Sequence, residues 1–208
     1  MEQLKIRKQP SQARSREKVR LVLDTAAELL VTQGVDSVST PRIAEISGVT
    51  VGSIYQYFPN KESILHELYQ RWLDDALETY ATYSDQHQKV RSAEVFFSGL
   101  FRHYLSGLSE HQHRLSVELG TALRSNKELQ LLDSLHEKRL GAAVNQDLVR
   151  LGVLRKNGKF SKARSRRLAF FSSTFLALMD LVSRSLPAQR EAFVEHASEV
   201  IKGLIASI

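Results

Sequence analysis

Three histidines and a glutamate, His103, His111, His113 and Glu118, stand close together in the chain and are the first residues to test for chemistry. Imidazole nitrogens and a carboxylate can hold a divalent metal or work as an acid–base pair. The spacing argues against both, because His111 and His113 are two apart and residues two apart on a helix point to different faces. There is no cysteine anywhere in the chain, which removes thiolate ligands, Cys nucleophiles and disulfides. No G-x-S-x-G, phosphate-cradling glycine loop or H-E-x-x-H is present either. The expectation is therefore no catalytic residue, no metal and no cofactor. An enzyme with a site at His103, His111, His113 or Glu118 is the competing class.

A different stretch, GVTVGSIYQYFPNKES at residues 48–63, carries a more specific pattern. It reads as a turn at Gly48, a short helix capped by Thr50, a break at Pro59 and a new helix capped by Asn60. Just before it, Thr40 is an N-cap candidate with Pro41 at the first helical position. Two short helices joined by a tight glycine turn have the layout of a helix-turn-helix. Ile43, Ala44 and Ile46 on the first are expected to pack against Val49, Ile54 and Phe58 on the second. Val51, Gly52, Ser53, Tyr55, Gln56 and Tyr57 are then left on the other faces. They form a surface of small groups, hydroxyls and an amide with no charge.

The elements that must position this stretch are all helical. Apolar positions recur at helical spacing, and no segment alternates like a strand. The spacing predicts helices over 15–33, 41–47, 51–58 and 61–83, then longer ones over 90–108, 110–124, 127–151, 161–186 and 188–207. That makes an all-α chain of about nine helices: a three-helix N-terminal helix-turn-helix domain and a C-terminal helical bundle. The boundary is expected at 60/61, between residues 1–60 with the basic arm and helix-turn-helix and residues 61–208 with the bundle. Charge is uneven within the net +6: residues 1–20 hold seven bases against two acids, and 150–167 hold eight bases and no acid. A basic N-terminal arm suits a polyanion, whereas the 150–167 run reads as a solvated loop and helix start. No apolar run nears the roughly 18 residues of a membrane span. The N-terminus has no leader-like apolar core. A cytoplasmic protein is expected.

Residues 19–65 resemble the DNA-binding domain of the TetR family of transcriptional regulators. The matching positions are Ala26, Gly34, Ser39, Thr40, Ile43, Ala44, Gly48, Val49, Thr50, Gly52, Tyr55, Phe58, Lys61 and Glu62. The resemblance implies a homodimer that places two recognition helices in successive major grooves of a palindromic operator in double-stranded DNA. By position, Val51 to Tyr57 become the reading surface, and Thr40, Thr50, Tyr55, Tyr57 and Lys61 lie near phosphates. The chemistry agrees, since Gly52 lets backbone approach DNA and Ser53 or Gln56 can hydrogen-bond base edges. Two positions depart from the usual pattern. Arg42 stands where many members carry an acid and can add a phosphate contact. Val51 replaces a polar residue and suits a thymine methyl.

The larger domain is where the resemblance places a small-molecule effector. Candidates are the aromatics Trp72, Phe97, Phe101, Tyr104 and Phe175, with Glu118 and His136 as polar residues set on apolar stripes. The last two helices carry Leu168, Phe171, Leu178 and Val182, then Phe193, Ala197, Val200, Ile201 and Leu204, at 3–4 spacing. Paired with a second copy these would make the four-helix dimer interface typical of the family. The reading is a ligand-responsive regulator, most naturally a repressor released by its effector. A helical interaction protein that never touches DNA is the third class.

Overall fold

The computed structural model describes residues 13–154 and 162–207. These form nine α-helices and no strand: α1 Ala13–Gln33, α2 Thr40–Ser47, α3 Val51–Tyr57, α4 Lys61–Gln86, α5 Ala93–Ser106, α6 Glu110–Ser125, α7 Lys127–Arg150, α8 Lys162–Ser183 and α9 Arg190–Ser207. Short 3-10 turns occupy Val35–Ser37 and Pro187–Gln189. The all-α expectation holds helix for helix, with end shifts of a few residues, as at Ala93 and Gln86. Residues 1–12 of the basic arm and 155–161 of the second basic run lie outside the described residues.

Contacts divide the chain into two compact units. The first takes residues 13–74 together with 114–134, and its core is apolar. Val22, Leu23, Ala26, Leu29 and Leu30 of α1 meet Ile43, Ile54 and Phe58 of the helix-turn-helix and Ile64, Leu65 and Leu68 of α4. Leu119, Ala122 and Leu129 from α6 and α7 join the same cluster. Tyr69 donates from its hydroxyl to the Asp133 carboxylate at 2.6 Å, tying α4 to α7 inside this unit. This division by contacts runs through α4 rather than before it.

The second unit holds residues 75–113, 135–154 and 162–207. An aromatic cluster fills it: Phe97 meets Phe96, Phe171 and Phe175 edge-on at centroid distances of 5.2–5.5 Å. Such offset pairs add about 0.5–1.5 kcal/mol beyond their burial. Beside it the buried Asp147 of α7 accepts from three donors. The Tyr80 and Ser84 hydroxyls of α4 each donate at 2.8 Å, and Arg150 donates from Nε at 2.8 Å. Burial, then the negative charge of Asp147, pushes the Tyr80 phenol well up, so it stays a donor. Arg150 also donates to the Val90 carbonyl at 3.1 Å and lies 4.9 Å over the Phe96 ring.

Tyr83 donates to the Phe96 carbonyl at 3.0 Å and stacks on His87. Its hydroxyl comes so close to Gly99 of α5 that a β-carbon there would collide with it. Gly99→Ala should therefore destabilise by about 1–3 kcal/mol through overpacking. In a Tyr83→Phe background the same change should be neutral or stabilising by up to about 1 kcal/mol, the helix-propensity gain of Ala over Gly. Denaturant melts of the four proteins test this, and a Gly99→Ala cost that persists without the hydroxyl would refute it.

Candidate nucleic-acid interface

The reading surface begins with how α2 starts. Ser39, not Thr40, is its N-cap: Ser39 is extended (φ −146°, ψ 150°) and its hydroxyl accepts from the Arg42 N–H at 3.4 Å. Thr40 is the first helical residue and is buried, with Pro41 after it. The buried stripe of α2 then follows Thr40, Ile43, Ala44 and Ser47. Ile46 falls about 100° off that stripe and is half exposed, so it does not pack against α3 as its type suggested. Arg42 is exposed and paired with Glu45 at 2.8 Å.

Gly48 ends α2 in the left-handed region (φ 69°, ψ 5°), and its N–H bonds back to the Ala44 carbonyl at 3.1 Å. Any L side chain would be strained there. The chain turns at once into α3. Thr50 caps it as expected: its Oγ1 accepts from the Ser53 N–H at 3.3 Å and donates to the Ser53 hydroxyl at 3.0 Å. Phe58 closes the helix with its N–H on the Ile54 carbonyl at 2.8 Å.

Outward from this frame point Thr50, Val51, Gly52, Tyr55 and Gln56, with Ser53 half-buried. Tyr57 does not belong with them. It is 7% exposed against 44% for Tyr55. The reason is register: Tyr57 lies three residues after Ile54 and shares its face, so the ring joins the apolar core. Thr40 and Tyr57 are thus the two proposed contact residues whose side chains the fold buries. The other expected reading residues lie on or near the surface. Asn60 caps α4, accepting from the Ser63 N–H at 2.9 Å, while Ser63 Oγ accepts from the Asn60 N–H at 3.4 Å. This reciprocal cap sets Lys61 in the first turn of α4, half-buried beside α3.

The effector candidates do not share one unit. Trp72 and Glu118 fall in the first, and Phe97, Phe101, Tyr104, His136 and Phe175 in the second. Phe97, Phe101 and Phe175 are wholly buried in the aromatic cluster and serve as core, which their spacing on apolar stripes makes natural. His136 is buried, while Trp72, Tyr104 and Glu118 are half-buried. Burial and the neighbouring Asp180 charge push the Tyr104 phenol up to about 12.

The expected dimer residues are likewise redistributed. Phe171, Ala197 and Ile201 are buried within their own chain, and Leu178, Phe193 and Leu204 are half-buried. The side chains of Leu168 and Val182 lie outside the described residues. Among the described side chains, the large apolar groups that α8 and α9 expose are Phe170, Leu181 and Val200, of which only Val200 was expected. Phe170 is 61% exposed beside a fully buried Phe171. In a run of two phenylalanines, helical spacing alone does not say which one faces in.

Among the described residues no group of three or more His, Asp or Glu side chains is placed to hold a metal. No described helix is long and apolar enough to cross a membrane.

Comparison with known proteins bears on the same segment. Residues 22–68 match the profile of "Bacterial regulatory proteins, tetR family". A fatty acid metabolism regulator protein of Bacillus subtilis is 30% identical over 115 residues, 55% of this chain and 57% of the relative. The matched segment thus spans little more than half of that relative. Among solved structures, a TetR-family transcriptional regulator from Mesorhizobium loti aligns over 94% of this chain and 98% of its own, with TM-score 0.71 and 16% identity. FadR of Bacillus subtilis in complex with stearoyl-CoA aligns over 91% and 98%, with TM-score 0.64 and 19% identity. At that identity the structural likeness speaks for the fold, and the sequence profile speaks for the helix-turn-helix itself. Residues 22–68 thus match the N-terminal domain of the TetR family of bacterial regulatory proteins.

Proposed function

We propose that this protein is a DNA-binding transcriptional regulator that acts as a homodimeric repressor and leaves a palindromic operator when a small effector binds. The observation that carries the reading is the α3 surface. Val51, Gly52, Tyr55 and Gln56 are exposed on a capped helix whose opposite face is fully buried. Hydroxyls, an amide and close-approaching backbone suit base edges and phosphates. Thr50, Ser53, Tyr55 and Gln56 are assigned to contact DNA, with Lys61 on a phosphate at the start of α4 and Arg42 exchanging Glu45 for a second. Such a protein works where the DNA is, in the cytoplasm.

The dimer face is assigned to Phe170, Leu181 and Val200 on α8 and α9. An isologous contact there would supply the two-fold axis that a palindrome requires. For the effector, the stearoyl-CoA complex of FadR and the fatty acid regulator among the relatives make long-chain acyl thioesters the first ligands to test. Release follows from population shift, with effector and operator favouring different states of one dimer. The long helix α4 is the element shared by DNA-side and effector-side residues.

Fluorescence anisotropy against DNA flanking the protein's own gene tests the reading; absence of binding to any genomic fragment at low salt would overturn it. Lys61→Ala should weaken binding to all sequences and flatten the slope of log K against log salt by about one unit. An unchanged slope removes Lys61 from the contacts. Tyr57→Ala should cost about 3–5 kcal/mol of stability as a core truncation. Tyr55→Ala should stay within about 0.5 kcal/mol of the parent yet lose DNA affinity, and the reverse ordering would contradict the assigned faces. Val51→Lys should change the sequence recovered in an operator selection. Phe170→Asp with Val200→Asp should give monomers by sedimentation, and an intact dimer would move the interface elsewhere.

A further inference from the structure

The turn between α8 and α9 holds cationic groups that the fold does not match. Arg190, the first residue of α9, has both Nε and Nη2 buried, and neither has a hydrogen-bond partner among the described residues. Arg184, at the other side of the turn, gives Nη2 to Asp180 at 2.5 Å but leaves its buried Nε without a partner. The turn itself is tight, with the Gln189 N–H on the Leu186 carbonyl at 2.9 Å.

A guanidinium Nε and Nη2 lie along one edge and point their hydrogens the same way. That edge matches the two oxygens of a carboxylate or the paired oxygens of a phosphate. A buried charged donor without an acceptor is among the costliest features a fold can keep. The surroundings also fit. Lys202 of α9 pairs with Glu94 near the start of α5 at 3.2 Å, and α9 packs along α5. Tyr104, near the end of α5, feels the charge of Asp180. The start of α9, the end of α8 and the end of α5 therefore meet at one end of this unit, with Tyr104 a neutral phenol there.

We propose that the Nε–Nη2 edge of Arg190 is a binding site for the oxyanion group of a small molecule, a carboxylate or a phosphate. The site is independent of the DNA reading and is tested on the full chain without DNA.

Thermal melts and calorimetric titrations at constant ionic strength, with chloride as reference, should show saturable binding of octanoate or inorganic phosphate. Whichever arm binds more tightly identifies the group. Arg190→Gln should abolish this response while melting at or above the parent in chloride, because it removes an unmatched buried charge. Arg190→Lys keeps the charge but loses the fork and should weaken binding by about tenfold or more. A midpoint rise of equal size in the parent and in Arg190→Gln would be a general salt effect and would overturn the site. So would no binding of either anion. If Arg190→Gln instead loosens the dimer in sedimentation with no anion present, the edge serves a carboxylate of the second copy, and the small-molecule assignment falls.

Discussion

A helix of seven residues has almost no stability of its own in water, so everything α3 presents depends on how it is clamped. Ile54 and Phe58 are fully buried against α1 and α4, and Tyr57 adds a third ring to the same side. Each such side chain contributes about 1.5–3 kcal/mol by leaving water. Gly48 sets the entry angle, and Thr50 satisfies the first free N–H. With that side held, the other side can be chosen for chemistry rather than for folding. This is why small and polar groups stand where a free helix would need charge pairs.

The second unit is specified in another way. Its aromatic cluster supplies burial, but Asp147 supplies direction. One buried carboxylate takes hydroxyls from Tyr80 and Ser84 of α4 and the guanidinium of Arg150, which in turn reaches the carbonyls after α4. Such a network adds little net stability over an apolar replacement, yet stranding one member costs several kcal/mol. It fixes the register of α4 on α7 more than it holds the unit together. Gly99 and Tyr83 play the same part between α4 and α5, where a single absent methyl group admits a hydroxyl.

Much of this was legible in the residues. The nine helices follow from apolar spacing and from caps at Thr50 and Asn60, and the turn follows from Gly48. What periodicity does not resolve is phase when two neighbours are equally apolar or equally ambiguous. Phe170 and Phe171 are such a pair, and so are Tyr55 and Tyr57, since tyrosine suits both core and surface. The Ser39–Thr40 pair offers two capping hydroxyls in succession, and only the backbone conformation decides between them. Phe97, Phe101 and Phe175 are wholly buried in the aromatic cluster, and composition alone does not tell such core rings from the lining of a pocket. Arg190 gave no signal at all, because a lone arginine at a helix start is ordinary until its surroundings are known.

The hydroxyl bridge between Thr50 and Ser53 has a consequence for the surface that α3 presents. The Thr50 and Ser53 hydroxyls lie 3.0 Å apart, so part of the hydrogen-bonding capacity of Ser53 is already engaged within α3. With no carboxylate among Thr50, Ser53, Tyr55 and Gln56, that surface offers hydroxyls and an amide, groups that both donate and accept. A cap residue thus restrains the hydroxyl of its neighbour on the surface that the helix presents.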